Sequence, residues 1–190
     1  MNTGGGRAQL SPPLIKYMDI SKVADIIHNI AEGFEENCIK CLSDHSGKVV
    51  DTIKEQLWSG LDANEQSLSP TYDDDPFFEE KGEWYHRSGD YKAWKRSINR
   101  QAMTFLELPS RPDNVPNLFI DGTFYSEISA TLRGGELLIS PGTGNGPEIV
   151  AKYKNKNGDI LNMGPTAIEY FNREYMMPSI DKFFKDCGFQ

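Results

Sequence analysis

The pattern of this chain predicts an α+β fold, and three observations carry that expectation. Apolar residues recur at three-or-four spacing between Val23 and Leu57. They alternate with polar residues on both sides of Gly134-Gly135, and Pro147, Pro165 and Pro178 stand where each can open a helix, because the missing N–H costs nothing there. The expected architecture is a long N-terminal helix or helix pair packed on a small antiparallel β-sheet, with extended loops and C-terminal helices. At 190 residues and 38% hydrophobic content the chain is long enough for one sizeable core and short for two.

Residues Met1 to Tyr17 are polar and turn-rich, with Gly4-Gly5-Gly6 and Pro12-Pro13, and alone they bury too little surface to offset the entropy of ordering. They read as an extended arm ahead of a single α+β domain over 18–190. Asp19 is placed to cap a helix whose stripe runs Val23, Ile27, Ile30, Phe34, Cys38, Cys41 and Leu42. Ser43-Asp44-His45-Ser46-Gly47 is a plausible stop, and Val49, Ile53 and Leu57 then resume the spacing. Two nearly continuous helices are expected, with the weak point at Gly47, although one long rod fits the same spacing.

Gly60 to Glu80 contains Pro70, Pro76 and seven carboxylates with no Lys or Arg, the composition of a protruding acidic loop. Lys81 to Arg100 reverses the sign, with six Lys or Arg against Glu83 and Asp90. From Asp90 the spacing of Trp94, Ile98, Ala102 and Phe105 predicts an amphipathic helix, ended by Pro109, Pro112 and Pro116. Phe124 to Leu132 and Glu136 to Ser140 are expected to pair as a hairpin turning at Gly134-Gly135, with Ile128, Ala130, Leu132, Leu137 and Ile139 facing the helices. Pro147 opens a short helix through Tyr153, and Asn157-Gly158-Asp159 turns the chain. Pro165 and Pro178 start two last helices, with Ile168, Phe171 and Tyr175, then Ile180, Phe183 and Phe184, as their apolar sides.

A formal net charge of -8 and a pI near 4.9 argue against a surface built to neutralise phosphates, so sequence-specific nucleic-acid binding is not expected. No run approaches the roughly 18 apolar residues of a membrane span. Three cysteines are too few, and of the wrong parity, for a secreted disulfide scaffold, so reduced thiols are expected.

Candidate chemistry is sparse. Cys38, Cys41 and His45 have the spacing C-x₂-C-x₃-H on one helix face, but a tetrahedral zinc site needs a fourth ligand, and both cysteines fall on the apolar stripe, so they read as packing residues. Asp73-Asp74-Asp75 with Glu79 and Glu80 lacks the alternating ligands and glycine of a calcium loop, and reads as a solvated turn. Gly142-Thr143-Gly144-Asn145-Gly146-Pro147 lacks the Lys-Ser/Thr of a phosphate-binding loop and reads as a flexible connection. The aromatic and basic stretch Trp84 to Arg96 suits a core Trp94 with cations on its solvent side, or docking against an acidic surface. No catalytic, cofactor-binding or metal-ligating residue is assigned, and no cofactor is expected.

The order of segments is more informative than any one of them. A long helix ending Glu55-Gln56-Leu57-Trp58-Ser59-Gly60 is followed by Leu68-Ser69-Pro70-Thr71-Tyr72 and Tyr91-Lys92-Ala93-Trp94-Lys95. Then come Pro116-Asn117-Leu118-Phe119-Ile120-Asp121-Gly122-Thr123-Phe124-Tyr125, a hairpin and a helical C-terminal part. Over roughly residues 19 to 187 this resembles structural proteins of tailed bacteriophages, particularly neck or tail-completion proteins of phages of Bacteroidales hosts, including crAss-like phages. The resemblance implies a ring between portal and tail, an α+β body, no catalysis and no cofactor.

The expectation is therefore a structural virion protein, assembled in the host cytoplasm as a ring-forming adaptor at the head-tail neck. Its partners would be copies of itself, the portal and other neck or tail proteins, with passive contact with DNA in a channel allowed and no membrane involved. Opposite charges on one chain permit head-to-tail contacts that close into rings. The candidate subunit-interface residues are Leu68, Phe77 and Phe78 as apolar anchors, Asp73, Asp74 and Asp75 as acids, and Lys92, Lys95 and Arg96 as cations on a neighbour. Two other classes compete: a small carboxylate-dependent hydrolase of phage or bacterial origin, needing two carboxylates on one cleft, and a metal-binding module built on Cys38, Cys41 and His45.

Overall fold

The structure is a computed structural model and describes residues 19–98, 104–153 and 159–189. The 1–17 arm and most of the turn expected at Asn157-Gly158-Asp159 lie outside the described residues. The chain is α+β, as expected, and its core is organised around one helix.

Helix α1 spans Ile20–Asp44 and α2 spans Ser46–Trp58. Asp19 caps α1 by accepting the Ser21 N–H at 3.1 Å. The break between the helices falls at His45 (φ -114°, ψ 18°), whose ring stacks on Tyr175 with centroids 4.6 Å apart. Gly47, the expected weak point, lies inside α2; a helical glycine costs about 1 kcal/mol relative to alanine, which tertiary packing readily outweighs.

Helix α2 supplies the centre of the core. Val49, Val50, Ile53 and Leu57 are buried against Leu68, Val115, Phe124, Ile128, Ile160, Leu161 and Phe171. Its buried polar side chains tie down chain segments that have no regular structure. The Phe105 and Leu106 N–H groups donate to Glu55 at 3.2 and 3.0 Å, the Gln56 amide donates to Asn162 O at 3.2 Å, and the Gly164 N–H donates to Gln56 at 2.7 Å. Burying such groups is tolerable because each finds a partner.

After a 3₁₀ turn at Pro76–Glu79, α3 covers Ser88–Ile98 and α4 covers Thr123–Glu127. Strands β1 (Ser129–Arg133) and β2 (Glu136–Ser140) pair antiparallel, with Ala130 opposite Ile139 and Leu132 opposite Leu137. Gly134 and Gly135 turn the hairpin at φ +56° and +84°, the left-handed region that a two-residue turn requires. Alternation holds: Ala130, Leu132, Leu137 and Ile139 are the half-buried positions, and Ala130, Leu137 and Ile139 pack on the core.

Two expectations about elements are corrected. Residues 124–127, expected as strand, are helical; Phe124 and Ile128 are both buried, and their i,i+4 spacing satisfies a helix as well as an even-numbered strand face. Asp121 decides between them by accepting the Thr123 N–H at 2.9 Å, while Gly122 turns the chain at φ +93°. Phe105, expected to continue α3, lies outside any helix, its N–H held by Glu55.

Helix α5 spans Gly146–Tyr153, opening beside Pro147. Helix α6 spans Pro165–Phe171 and α7 spans Met177–Asp186, with Pro165 and Pro178 in their first turns as expected, although the two helices run on into one another. A π turn at Asn172–Met176 joins the two, with the Met177 N–H reaching back to Asn172 O. In a regular α-helix the Pro178 ring would collide with the carbonyl four residues earlier, and the wider turn makes room.

The 172–189 stretch runs antiparallel to α1. Cys41 donates to Tyr175 O at 3.5 Å, Asn37 donates to Ser179 Oγ at 3.3 Å, and Phe34 meets Phe183 and Phe184 with centroids 6.4 and 6.1 Å apart. This helix pair is thinly covered. Cys41 is the buried residue of α1, and α7 has no buried residue.

Candidate functional site

The segment 60–80 has the composition of a protruding acidic loop, yet it folds back onto its own chain. Asp62 turns it by accepting the N–H groups of Asn64 and Gln66 at 2.8 and 2.9 Å, the Leu68 N–H donates to Gly60 O at 2.8 Å, and the Tyr72 N–H donates to Asn114 O at 2.8 Å. Leu61, Leu68, Tyr72 and Phe78 are buried. The segment belongs to the fold of the single chain.

The expected interface residues divide accordingly. Leu68, 1% exposed, is a core residue and no anchor for a neighbour. Phe78 is buried against Tyr91, with ring centroids 5.3 Å apart, whereas Phe77 remains exposed. The expected pairing of acids with cations of a neighbouring copy is satisfied inside one chain. Lys92 holds Asp73 at 2.6 Å, Lys152 holds Asp75 at 2.7 Å, and Arg96 holds Asp113 at 3.1 Å. The Thr71 hydroxyl donates to Asp74 at 2.8 Å. Lys92's hydrogen bond holds the Asp73 carboxyl below its ordinary range. These contacts offset part of the mutual repulsion that would have kept the segment extended, because Lys92 on α3 and Lys152 on α5 supply cations from the same chain.

Lys95, expected on the surface, is 3% exposed and donates to Phe119 O. Burial, reinforced by the like charge of Arg111, brings its pKa down to about 8. Its side chain lines a cleft of about 230 Å³ bounded by residues 72–78, α3, the 116–120 segment and α5. The walls are mainly apolar or aromatic, with Phe77 and Ile120 exposed among them. Burial pushes the hydroxyls of Tyr72, Tyr91 and Tyr153 up, so they stay protonated donors well into alkaline pH. Lys152 lies at 5.8 and 5.6 Å from the centroids of Phe77 and Tyr153, within cation–π reach.

Sequence reasoning placed Asp75, Phe77 and Lys95 among the candidates but missed the opposite wall, Ile149, Lys152 and Tyr153. A signal was present. Pro147 fixes the start of α5, and 149, 152 and 153 then fall on one helical face.

The other motifs resolve as structure. Cys41 is buried, with its thiol pushed up by burial, Cys38 is half-buried, and His45 turns to Tyr175. In the glycine-rich loop the Gly144 N–H donates to Glu127 at 3.2 Å, so a carboxylate occupies the place a phosphate would need. Glu55, pushed up by burial, has its oxygens engaged by backbone N–H groups.

A different surface stands out on the helix pair. Ile20, 85% exposed, Val23, and Ile27, 61% exposed, continue the α1 stripe beyond the end of α7, and Phe34, Met177 and Phe189 are also exposed. No helix among the described residues is long and apolar enough to cross a membrane.

Comparisons with models of protein families, with curated proteins and with solved structures return no match.

Proposed function

We propose that this chain is a non-enzymatic structural protein of a tailed-phage virion, a ring-forming adaptor at the head-tail neck that connects portal and tail. The observation that carries the reading is the open apolar stripe of α1. A 25-residue helix with one buried residue presents Ile20, Val23, Ile27 and Phe34 to solvent, and contiguous apolar surface of this kind marks protein–protein contact. The order of segments described above supports the same assignment. The contact surface moves from the acidic segment, whose charges pair internally, to the α1 and α7 helix pair, where copies of the chain and the neighbouring neck proteins would meet.

The hydrolase alternative requires two carboxylates facing one cleft with one pKa raised. The carboxyl that burial raises, Glu55, is spent on holding the 105–106 backbone, and Asp75 in the aromatic cleft is paired with Lys152.

Mass measurement in solution and electron imaging of the purified protein test the proposal. The expected result is a closed ring of copies that disperses to folded monomers when Ile20 and Ile27 are both replaced by Asp. A wild-type protein that stays monomeric at every concentration, alone and mixed with portal, would overturn it.

A further inference from the structure

Lys95 is a buried cation whose counter-charge is missing. Its ammonium has three donors, and the bond described for it is the one to Phe119 O. Among the described residues no carboxylate forms an ion pair with it, although Lys92, Arg96 and Lys152 each have one. Asp75, the carboxylate on the same cleft, spends one oxygen on Lys152 at 2.7 Å and the other on the Phe77 N–H at 3.0 Å. The charge that acts on Lys95 is that of Arg111, of the same sign. Lysine is almost never fully buried unless it is paired. Here it is buried on the wall of a cleft.

We infer that the cleft between α3 and α5 binds a small organic anion, a carboxylate carried on an apolar or aromatic body, with Lys95 as its counter-ion. Charge complementarity sets the sign, because two lysines and one carboxylate line the cleft and leave a positive excess. The apolar walls set the body. Phe77, Ile120 and Ile149 offer flat and branched surfaces, and the Tyr72 and Tyr91 hydroxyls, kept protonated by burial, add donors for carboxylate oxygens. At about 230 Å³ the cavity is smaller than the roughly 300–1,000 Å³ of pockets that take drug-sized ligands, which limits the body to about one ring or a branched alkyl group. The site lies within a single chain and stands whether or not the chain assembles into a ring.

Titration of ¹⁵N-labelled full-length protein with phenylacetate, and separately with its neutral analogue phenylacetamide, tests this. The acid is expected to bind at least tenfold more tightly, shifting the backbone N–H signals of Phe119, Ile120 and Ile149. Lys95→Met, which keeps the length of the side chain and removes its charge, should bring the acid down to the affinity of the amide, while Lys40→Met on the exposed face of α1 should change nothing. Equal affinity for acid and amide, shifts elsewhere, no binding of either compound, or undiminished acid binding in Lys95→Met would each overturn the inference. If Lys95→Met fails to fold, the wild-type comparison of acid with amide decides it alone.

Discussion

Glu55 and Lys95 are both ionisable residues withdrawn from water, and they respond to it differently. Glu55 is satisfied by two backbone N–H groups, so Glu55→Ala should strand the donors of Phe105 and Leu106 and cost about 1–3 kcal/mol in urea unfolding. Lys95 has a folded pKa of about 8 against an unfolded value of 10.5, so the unfolded chain binds more protons between those two values. Its burial penalty is present below pH 8 and is relieved as pH rises toward 10.5. Wild type should therefore gain on Lys95→Met across that window. Buried hydroxyls such as Tyr72 and Tyr153, whose folded pKa values are raised, work the other way above pH 10 in both proteins. Unfolding measured at pH 7, 9 and 10.5 checks the sign, and a constant difference between the two proteins would refute it. Charge type was legible at these positions and partner was not, because sequence order does not say that residue 152 comes beside residue 75.

Elements with an unambiguous period were readable in advance. Helices α1 and α2, strand β2 and the 129–132 part of the first hairpin strand were found where the spacing put them, since 3.6 and 2 residues per repeat leave different faces apolar. Helix α4 was not, because Phe124 and Ile128 suit both periods and the local features that accompany the helix are the Asp121 carboxylate accepting the Thr123 N–H and a left-handed Gly122 at the cap position. The segment 60–80 was misread for a related reason: its charges suggested exposure, while its four buried apolar side chains, Leu61, Leu68, Tyr72 and Phe78, are scattered without a period. Within α2, Ile53 is fully buried, and Ile53→Ala should cost about 2–5 kcal/mol. At the start of α5 a Cβ on Gly146 would stand 2.0 Å from the Pro141 carbonyl oxygen, so Gly146→Ala must move backbone and should destabilise by more than the few tenths of a kcal/mol usual for a surface substitution. Thermal unfolding of both variants measures these effects.

The whole molecule combines a well-packed body around α2 with a helix pair that buries little. Stability should be distributed in the same way, since local opening follows the density of buried apolar contact. Hydrogen exchange on the free protein should show the amides of Ile53 to Leu57 protected to the global limit, with those of Lys22 to Ile27 exchanging at least tenfold faster. On assembled particles the α1 amides should slow and those of α2 should not change. Equal protection of both helices in the free chain would place the start of α1 in the body's cooperative unit and remove the structural reason for assigning assembly to it. Composition placed the contact surface on the 68–78 segment and the cations of α3, whereas among the described residues the exposed apolar stripe lies on α1.

The wide turn at Asn172–Met176 also sets a rotational phase. Each residue advances an α-helix by about 100°, so the extra residue held in that turn decides which side of α7 looks at α1. Deleting Glu174 would swing Ser179 and Phe183 away from Asn37 and Phe34, bringing outward-facing side chains onto the contact, and within the body it would disturb mainly Tyr175 and Met176 at the edge of the α2 core. A change of chain length by one residue, with no change of composition elsewhere, would then exchange the inner and outer surfaces of the helix pair. In this chain the surface that the helix pair turns outward is therefore set by the count of residues in that turn as well as by their chemistry.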